Sequence, residues 1–385
     1  MEASNFALTD VQRQFRDTLR QYAEERIAPQ AAEVDRTAEF PWKSFKACVE
    51  LELPALGIPE AYGGAGADMV TQAIMAEELA RVCASTSLTM LISKLGMLPV
   101  MNWGSDELRR HYLPKVAAGE MQASYCLSEA DAGSDVAAMK SRAVRDGDDY
   151  ILTGSKYWIT NAGISDVYVV FAKTDPVAGG RGITCFLVEM GTPGFRIARE
   201  IPTMGDNWDP HELQFTDCVV SDANRLGEAD GGFAVADYQL THGRLKIGAF
   251  QLGIAQRSID MAVEWAKQRT TWGKPIASRQ AIQWMLADSE VELEAARLLV
   301  YRAGWMADAK QKIRNEAFIA KLYATEMAQR VTDRCIQIFG GLGYTRELPI
   351  QSFFRQVRVW RIGHGTAEIH RWMIARNMLG QSSRD

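Results

Sequence analysis

The apolar residues of this chain change period twice, and that limits it to a three-part α+β architecture. Over residues 8–120 they recur at helical spacing. Leu8-Thr9-Asp10 offers a cap, and Val11, Phe15, Leu19 and Tyr22 follow on one face. From 123 to 232 short β-rich runs replace them: Tyr150-Ile-Leu-Thr, Val167-Tyr-Val-Val-Phe-Ala, Ile183-Thr-Cys-Phe-Leu-Val and Glu212-Leu-Gln-Phe. Turn residues part these runs at Asp146-Gly-Asp-Asp, Ala178-Gly-Gly-Arg-Gly and Gly191-Thr-Pro-Gly. No helix-length segment intervenes, so the spacing predicts an antiparallel sheet or barrel and excludes βαβ units. From 233 onward the pattern is helical again. Residues 281–310 and 312–339 are two long amphipathic segments, Gly340 stops the second, and another helix begins near Thr366. The expected domains are 1–122 (helical), 123–232 (β) and 233–385 (helical).

Finer signals fall within this plan. Pro29 and Pro41 are expected to break the first helical region. Residues 54–66 read as a Gly- and Pro-rich loop, and 69–101 as one helical stretch. Of the 385 residues, 47% are hydrophobic and 24% charged, so the chain has material for a large core. A net charge of −5 argues against a nucleic-acid partner. No run of 18 apolar residues occurs, so no membrane span is expected. The six cysteines stand singly, which excludes a zinc framework and points to reduced thiols and a cytoplasmic location. The five histidines have no metal-site spacing, so no metal is expected. The βαβ dinucleotide fingerprint, the P-loop and the nucleophile elbow are all missing.

Five ordered motifs carry a resemblance. Tyr125-Cys-Leu-Ser-Glu-Ala-Asp-Ala-Gly-Ser-Asp135, Gly154-Ser-Lys-Tyr-Trp-Ile-Thr-Asn161, Gln268-Arg-Thr-Thr-Trp-Gly-Lys, Gln337-Ile-Phe-Gly-Gly-Leu-Gly-Tyr344 and Gly365-Thr-Ala-Glu-Ile369 resemble those of acyl-CoA dehydrogenases. The resemblance implies an N-terminal helical domain, a middle β-domain and a C-terminal four-helix bundle. It also implies FAD and a homotetramer (a dimer of dimers). By motif match, Leu127 and Ser128 would contact the flavin edge, Trp158 would pack on the ring, and Thr160 would bond near N5. Arg269, Trp272, Gln280, Gln337 and Gly341 would hold the ADP part, with Thr366 and Glu368 facing the cofactor. Ser134 would approach the thioester ligand, and Arg244 and Gly365 would lie beside the substrate. The substrate would be an acyl-CoA or an acyl-carrier-protein thioester, and the electron acceptor an electron-transfer flavoprotein. The chemistry fits these residue types: an indole gives a broad apolar platform, and arginine grips pyrophosphate with a rigid fork.

One departure matters most. The family's glutamate base precedes the Gly-Thr, and here that position is His364. The alternative glutamate position on the bundle helix is Gly243. Three readings stay open. His364 is a substitute base, with an ordinary pKa of about 6.5 suited to neutral pH. Or the enzyme does not abstract an α-proton, as in enoyl-thioester reductases, desulfinases and flavin oxygenases. Or the subunit is a non-catalytic partner in a hetero-oligomer. In all three, the backbone N–H at 364 can still polarise a thioester carbonyl.

Overall fold

The computed structural model describes residues 7–205 and 210–381. The chain forms two compact units. One comprises residues 1–37, 68–88 and 241–385, the other residues 38–67 and 89–240.

Helix α1 (Asp10–Arg26) opens on a capping box: Thr9 accepts from the Gln12 N–H, and the Gln12 side chain returns to the Thr9 N–H. Helix α2 (Ala28–Thr37) follows at once. Pro29 does not break the chain there. It lies in the first turn of α2, where a missing N–H leaves no intrahelical bond unmade. Pro41 precedes α3 (Trp42–Glu50). The stretch expected as one helix is two, α4 (Met69–Val82) and α5 (Ala84–Trp103). Cys83 parts them in an extended conformation, while its carbonyl accepts the Ser87 N–H and so starts α5. Helix α5 is long and apolar enough to cross a membrane, but 83% of its most apolar window is buried in the protein. It packs as a core helix. Met90, Leu91, Ile92 and Leu95 on it are all buried. Helix α6 (Asp106–Ala117) leads to the sheet.

The sheet belongs to the second unit. Its strands are β1 (Ala123–Cys126), β2 (Arg142–Asp146), β3 (Asp149–Ile159), β4 (Val167–Lys173), β5 (Ile183–Glu189), β6 (Phe195–Glu200) and β7 (His211–Ser221). The order is β1-β4-β2-β3-β7-β6, with β5 also on β4. The sheet is mixed rather than purely antiparallel, which corrects the expectation. Strand β1 runs parallel to β4, and β2 meets β4 in parallel at Arg142 and Lys173. A parallel pair needs a long crossover. Here the β2–β3 hairpin supplies it, so no helix is required. Strands β4 and β5 are buried on both faces, which explains their unbroken apolar runs.

The first unit takes the remaining helices. After α7 (Gly232–Gln268), which enters this unit at residue 241, come α8 (Gln280–Asp308), α9 (Arg314–Phe339), α10 (Ile350–Arg358) and α11 (Ala367–Met378). Asp308 accepts the Met69 and Val70 N–H groups and so caps α4. Buried Glu77 on α4 receives Arg297 and Tyr301 from α8. Gly253 lets α7 approach α4. A Cβ there would stand 2.1 Å from the Glu77 carbonyl oxygen. We expect Gly253→Ala to cost about 1–3 kcal/mol from that clash, measured by urea denaturation. The gain in helix propensity, about 1 kcal/mol at most, would not offset it.

Candidate active site

In the sheet unit, the first and second motifs are fastened to each other. Lys156 on β3 is fully buried. Its ammonium donates to Glu129 Oε1 (2.8 Å) and to the Leu127 carbonyl (3.1 Å). Glu129 also accepts the Lys140 and Ser141 N–H groups, at 2.6 and 3.1 Å. The Tyr157 N–H donates to the Ser128 carbonyl at 2.9 Å. The 127–129 segment is thereby held along β3. Burial pushes the Glu129 carboxyl up, but the Lys156 charge and these hydrogen bonds outweigh it and hold Glu129 below its usual range.

Strand β3 then loses register between Lys156 and Ile159. This bulge turns Trp158 outward with φ +64°, and leaves its indole 55% exposed, edge-on to Tyr157. Asn161 follows at φ +66°. Left-handed backbone at a bulky residue is strained, and such strain concentrates at functional sites. The Thr160 carbonyl takes the Ser124 hydroxyl. Ser134 lies exposed in the loop between β1 and β2.

In the helical unit, the motif residues fall into three places. Arg269 follows the end of α7, and Trp272 sits at the tip of a small hairpin (β8, Thr270–Thr271; β9, Lys274–Pro275). Trp272 is 91% exposed at φ +47°, with the Arg279 guanidinium over its ring. Arg279 also donates to the Thr271 carbonyl, which docks the hairpin on the α8 start at Gln280. Gln337 lies exposed in the last turn of α9, and Gly340 ends that helix at φ +64°, ψ −141°, a conformation open only to glycine. A Cβ at Gly340 or Gly341 would meet nothing within 4 Å.

The third place is the turn before α11. Thr366 caps α11 by accepting the Ile369 N–H, and Glu368 is exposed in its first turn. His364 has φ +55° and Gly365 φ +91°. Two consecutive carbonyls of this turn are held from below. The His364 oxygen lies 3.3 Å from Arg244 Nε and 3.2 Å from His370 Nε2, and the Gly365 oxygen accepts from Lys321 Nζ at 2.7 Å. A Cβ at Gly365 would stand 2.8 Å from His370 Nε2. His364 meets Trp360 edge-on, and Arg244 lies over the Phe318 ring. The His364 Nδ1 is buried and has no hydrogen-bond partner among the described residues.

Charge dominates this turn. Burial, then the Lys321 and Arg244 charges, push the His364 imidazole down to about 3. Burial and Arg244 push the Lys321 ammonium down to about 7, against Glu326 and Glu368. Burial, Lys321 and Arg244 push His370 down to about 2. Both imidazoles are therefore neutral at pH 7. The His370 Nε2–H then donates to the His364 carbonyl. These two folded pKa values lie below the unfolded value of about 6.5. The unfolded chain thus binds more protons, and stability falls as pH drops from about 6.5 toward 3. We expect His370→Gln, which keeps the donor, to lose about 1–2 kcal/mol less than the parent between pH 7 and 5. Denaturant titration at the two pH values measures this.

Sequence reasoning missed Lys321 and His370. The signal for Lys321 was a charge among the buried residues of α9: Ala317, Ala320, Ala324 and Ala328.

The acyl-CoA dehydrogenase N-terminal, middle and C-terminal domain families match residues 9–120, 124–218 and 230–379. A probable acyl-CoA dehydrogenase, fadE25, of Mycobacterium leprae is 42% identical over 378 residues, 97% of each chain. Butyryl-CoA dehydrogenase from Megasphaera elsdenii superposes with a TM-score of 0.94 at 34% identity, covering 97% of this chain and 100% of that one. The FAD complex of PigA superposes with a TM-score of 0.92 at 28% identity, covering 97% and 99%. The chain belongs to the acyl-CoA dehydrogenase family. Family members hold FAD, and in the helical unit an exposed indole on a left-handed turn and open space over Gly340 and Gly341 leave room for a ligand.

Proposed function

We propose that this chain is an FAD-dependent oxidoreductase that removes hydrogen from Cα and Cβ of an acyl thioester, with His364 as the base. Bound FAD supplies the hydride acceptor. Trp158 offers the ring platform, with Leu127, Ser128 and Thr160 along its edge. Arg269, Trp272, Gln280, Gln337 and Gly341 take the ADP part, and Thr366 and Glu368 complete the set. Arg244 and Gly365 lie beside the substrate, and Ser134 meets the pantetheine side. The His364 backbone N–H polarises the thioester carbonyl, and the neutral imidazole accepts the α-proton. The observation that carries this reading is the buried, unpartnered Nδ1 of His364, at the motif position of the family's base. An α,α-dideuterated thioester tests it. Flavin reduction should slow by a primary isotope effect, and an unchanged rate would remove His364 from the reaction.

The carrier is CoA or an acyl-carrier protein, and the acceptor an electron-transfer flavoprotein. We read 1–122, 123–232 and 233–385 as its three domains, which the three family matches support. A homotetramer is supported by α8, where Trp284, Val291 and Leu298 are exposed at a seven-residue repeat. A cytoplasmic location is supported by six buried cysteines that form no disulfide.

A further inference from the structure

The turn that bears His364 is tied to α9 by one short bond. Of the three donors beneath it, Lys321 lies nearest its acceptor. Its ammonium reaches the Gly365 oxygen at 2.7 Å, against 3.3 and 3.2 Å for Arg244 and His370 at the His364 oxygen. Lys321 is fully buried, and a charged donor in a dry site bonds about twice as strongly as a neutral one. The turn needs such a tether. His364 and Gly365 are both left-handed, at φ +55° and +91°, and the first carries a bulky side chain there. His370 closes the other side, 2.8 Å from where a Gly365 Cβ would stand. Gly365 is thereby wedged between a donor on α9 and a ring on α11, which fixes the chain direction at His364.

The charged groups around Lys321 come from each element packed on it. Arg244 of α7 opposes its proton, while Glu326 of α9 and Glu368 of α11 favour it. Glu326 also pairs with Arg361 and Arg371. His364 and His370 face Lys321 as neutral rings. Burial and Arg244 outweigh the carboxylates and push the ammonium down to about 7, so it releases its proton in the neutral range. The neutral amine still has N–H groups to donate, and the tether to Gly365 outlasts the charge. What the proton changes is the field at His364, whose imidazole the Lys321 charge pushes down. Resting on the reading that His364 is the base, we propose that Lys321 is its positioning residue, holding the turn in either protonation state and weakening the base while it is charged. Abstraction of the α-proton is then slow below neutrality and faster above it.

The test is single-turnover reduction of the FAD-loaded protein by butyryl-CoA, isobutyryl-CoA and octanoyl-CoA, followed across neutral pH. In the parent the rate should rise about three- to tenfold through pH 7, the scale set by one pKa unit at the base. Lys321→Gln offers an uncharged donor, so the step should vanish and the rate should stay at its high-pH level. Lys321→Arg is charged at every pH, so the step should vanish and the rate should stay at its low-pH level. A lysine with a merely structural role would lower rate and stability together in both variants and leave no such opposition. A parent rate that is flat through pH 7, or a step that persists in Lys321→Gln, would overturn this inference. With His364→Asn inactive in the same experiment, the base reading would still stand. Full rate in His364→Asn, or reduction by none of the three thioesters, would overturn that reading, and this one with it.

Discussion

Replacing His364 by alanine is expected to abolish reduction of the flavin by substrate while FAD stays bound. Removing a positioned base costs about 10²–10⁴-fold in rate. The backbone N–H at 364 survives the change, so thioester binding should survive with it. The Arg244, His370 and Lys321 bonds to the turn end on main-chain oxygens, so they do not need the imidazole. Alanine is strained at φ +55°, by about 1 kcal/mol. Asparagine tolerates that conformation and controls for the strain. His364→Asn should lose the same rate with less loss of stability. Stopped-flow reduction and the flavin-to-protein absorbance ratio measure the two effects separately. A full reductive rate in either variant would dismiss His364 as the base.

The largest expected effect on stability comes from Lys156→Met. The ammonium is fully buried, and the change strands the Glu129 carboxylate in a nearly dry site. Breaking a buried pair from one side costs about 3–5 kcal/mol. Thermal unfolding should fall by about 10 °C. The Leu127 carbonyl loses its donor as well, so the 127–129 segment should loosen, and on the proposed placement of FAD its content should fall. The double variant Lys156→Met/Glu129→Gln no longer holds a stranded charge and should recover much of the stability. A single variant as stable as the parent would mean that the ion pair does not hold the segment.

Local signals made most of the architecture legible. The change of period marked the sheet, and Thr9, Gly340 and Thr366 marked helix ends, because capping is decided within a few residues. Acyl-CoA dehydrogenase membership and FAD were legible from five ordered motifs. What stayed hidden was non-local. Strand β1 pairs with β4 some forty residues away, and nothing in Ser124 or Tyr125 announces a parallel partner. Pro29 looked like a break because its effect depends on whether it falls in the first turn. The bulge that exposes Trp158 arises from how β3 meets β7. His364, just before the fifth motif, was visible as a candidate base, but its depressed basicity was not. That depends on Lys321 and Arg244, which lie 43 and 120 residues from it in the chain.

The most direct measurement is anaerobic mixing of the purified, FAD-loaded protein with a panel of saturated acyl-CoAs. The panel spans straight, branched and carboxylate-bearing chains. Bleaching of the oxidised flavin band by one class, lost in His364→Ala, is the expected result. A yellow protein that no saturated thioester bleaches would contradict the account.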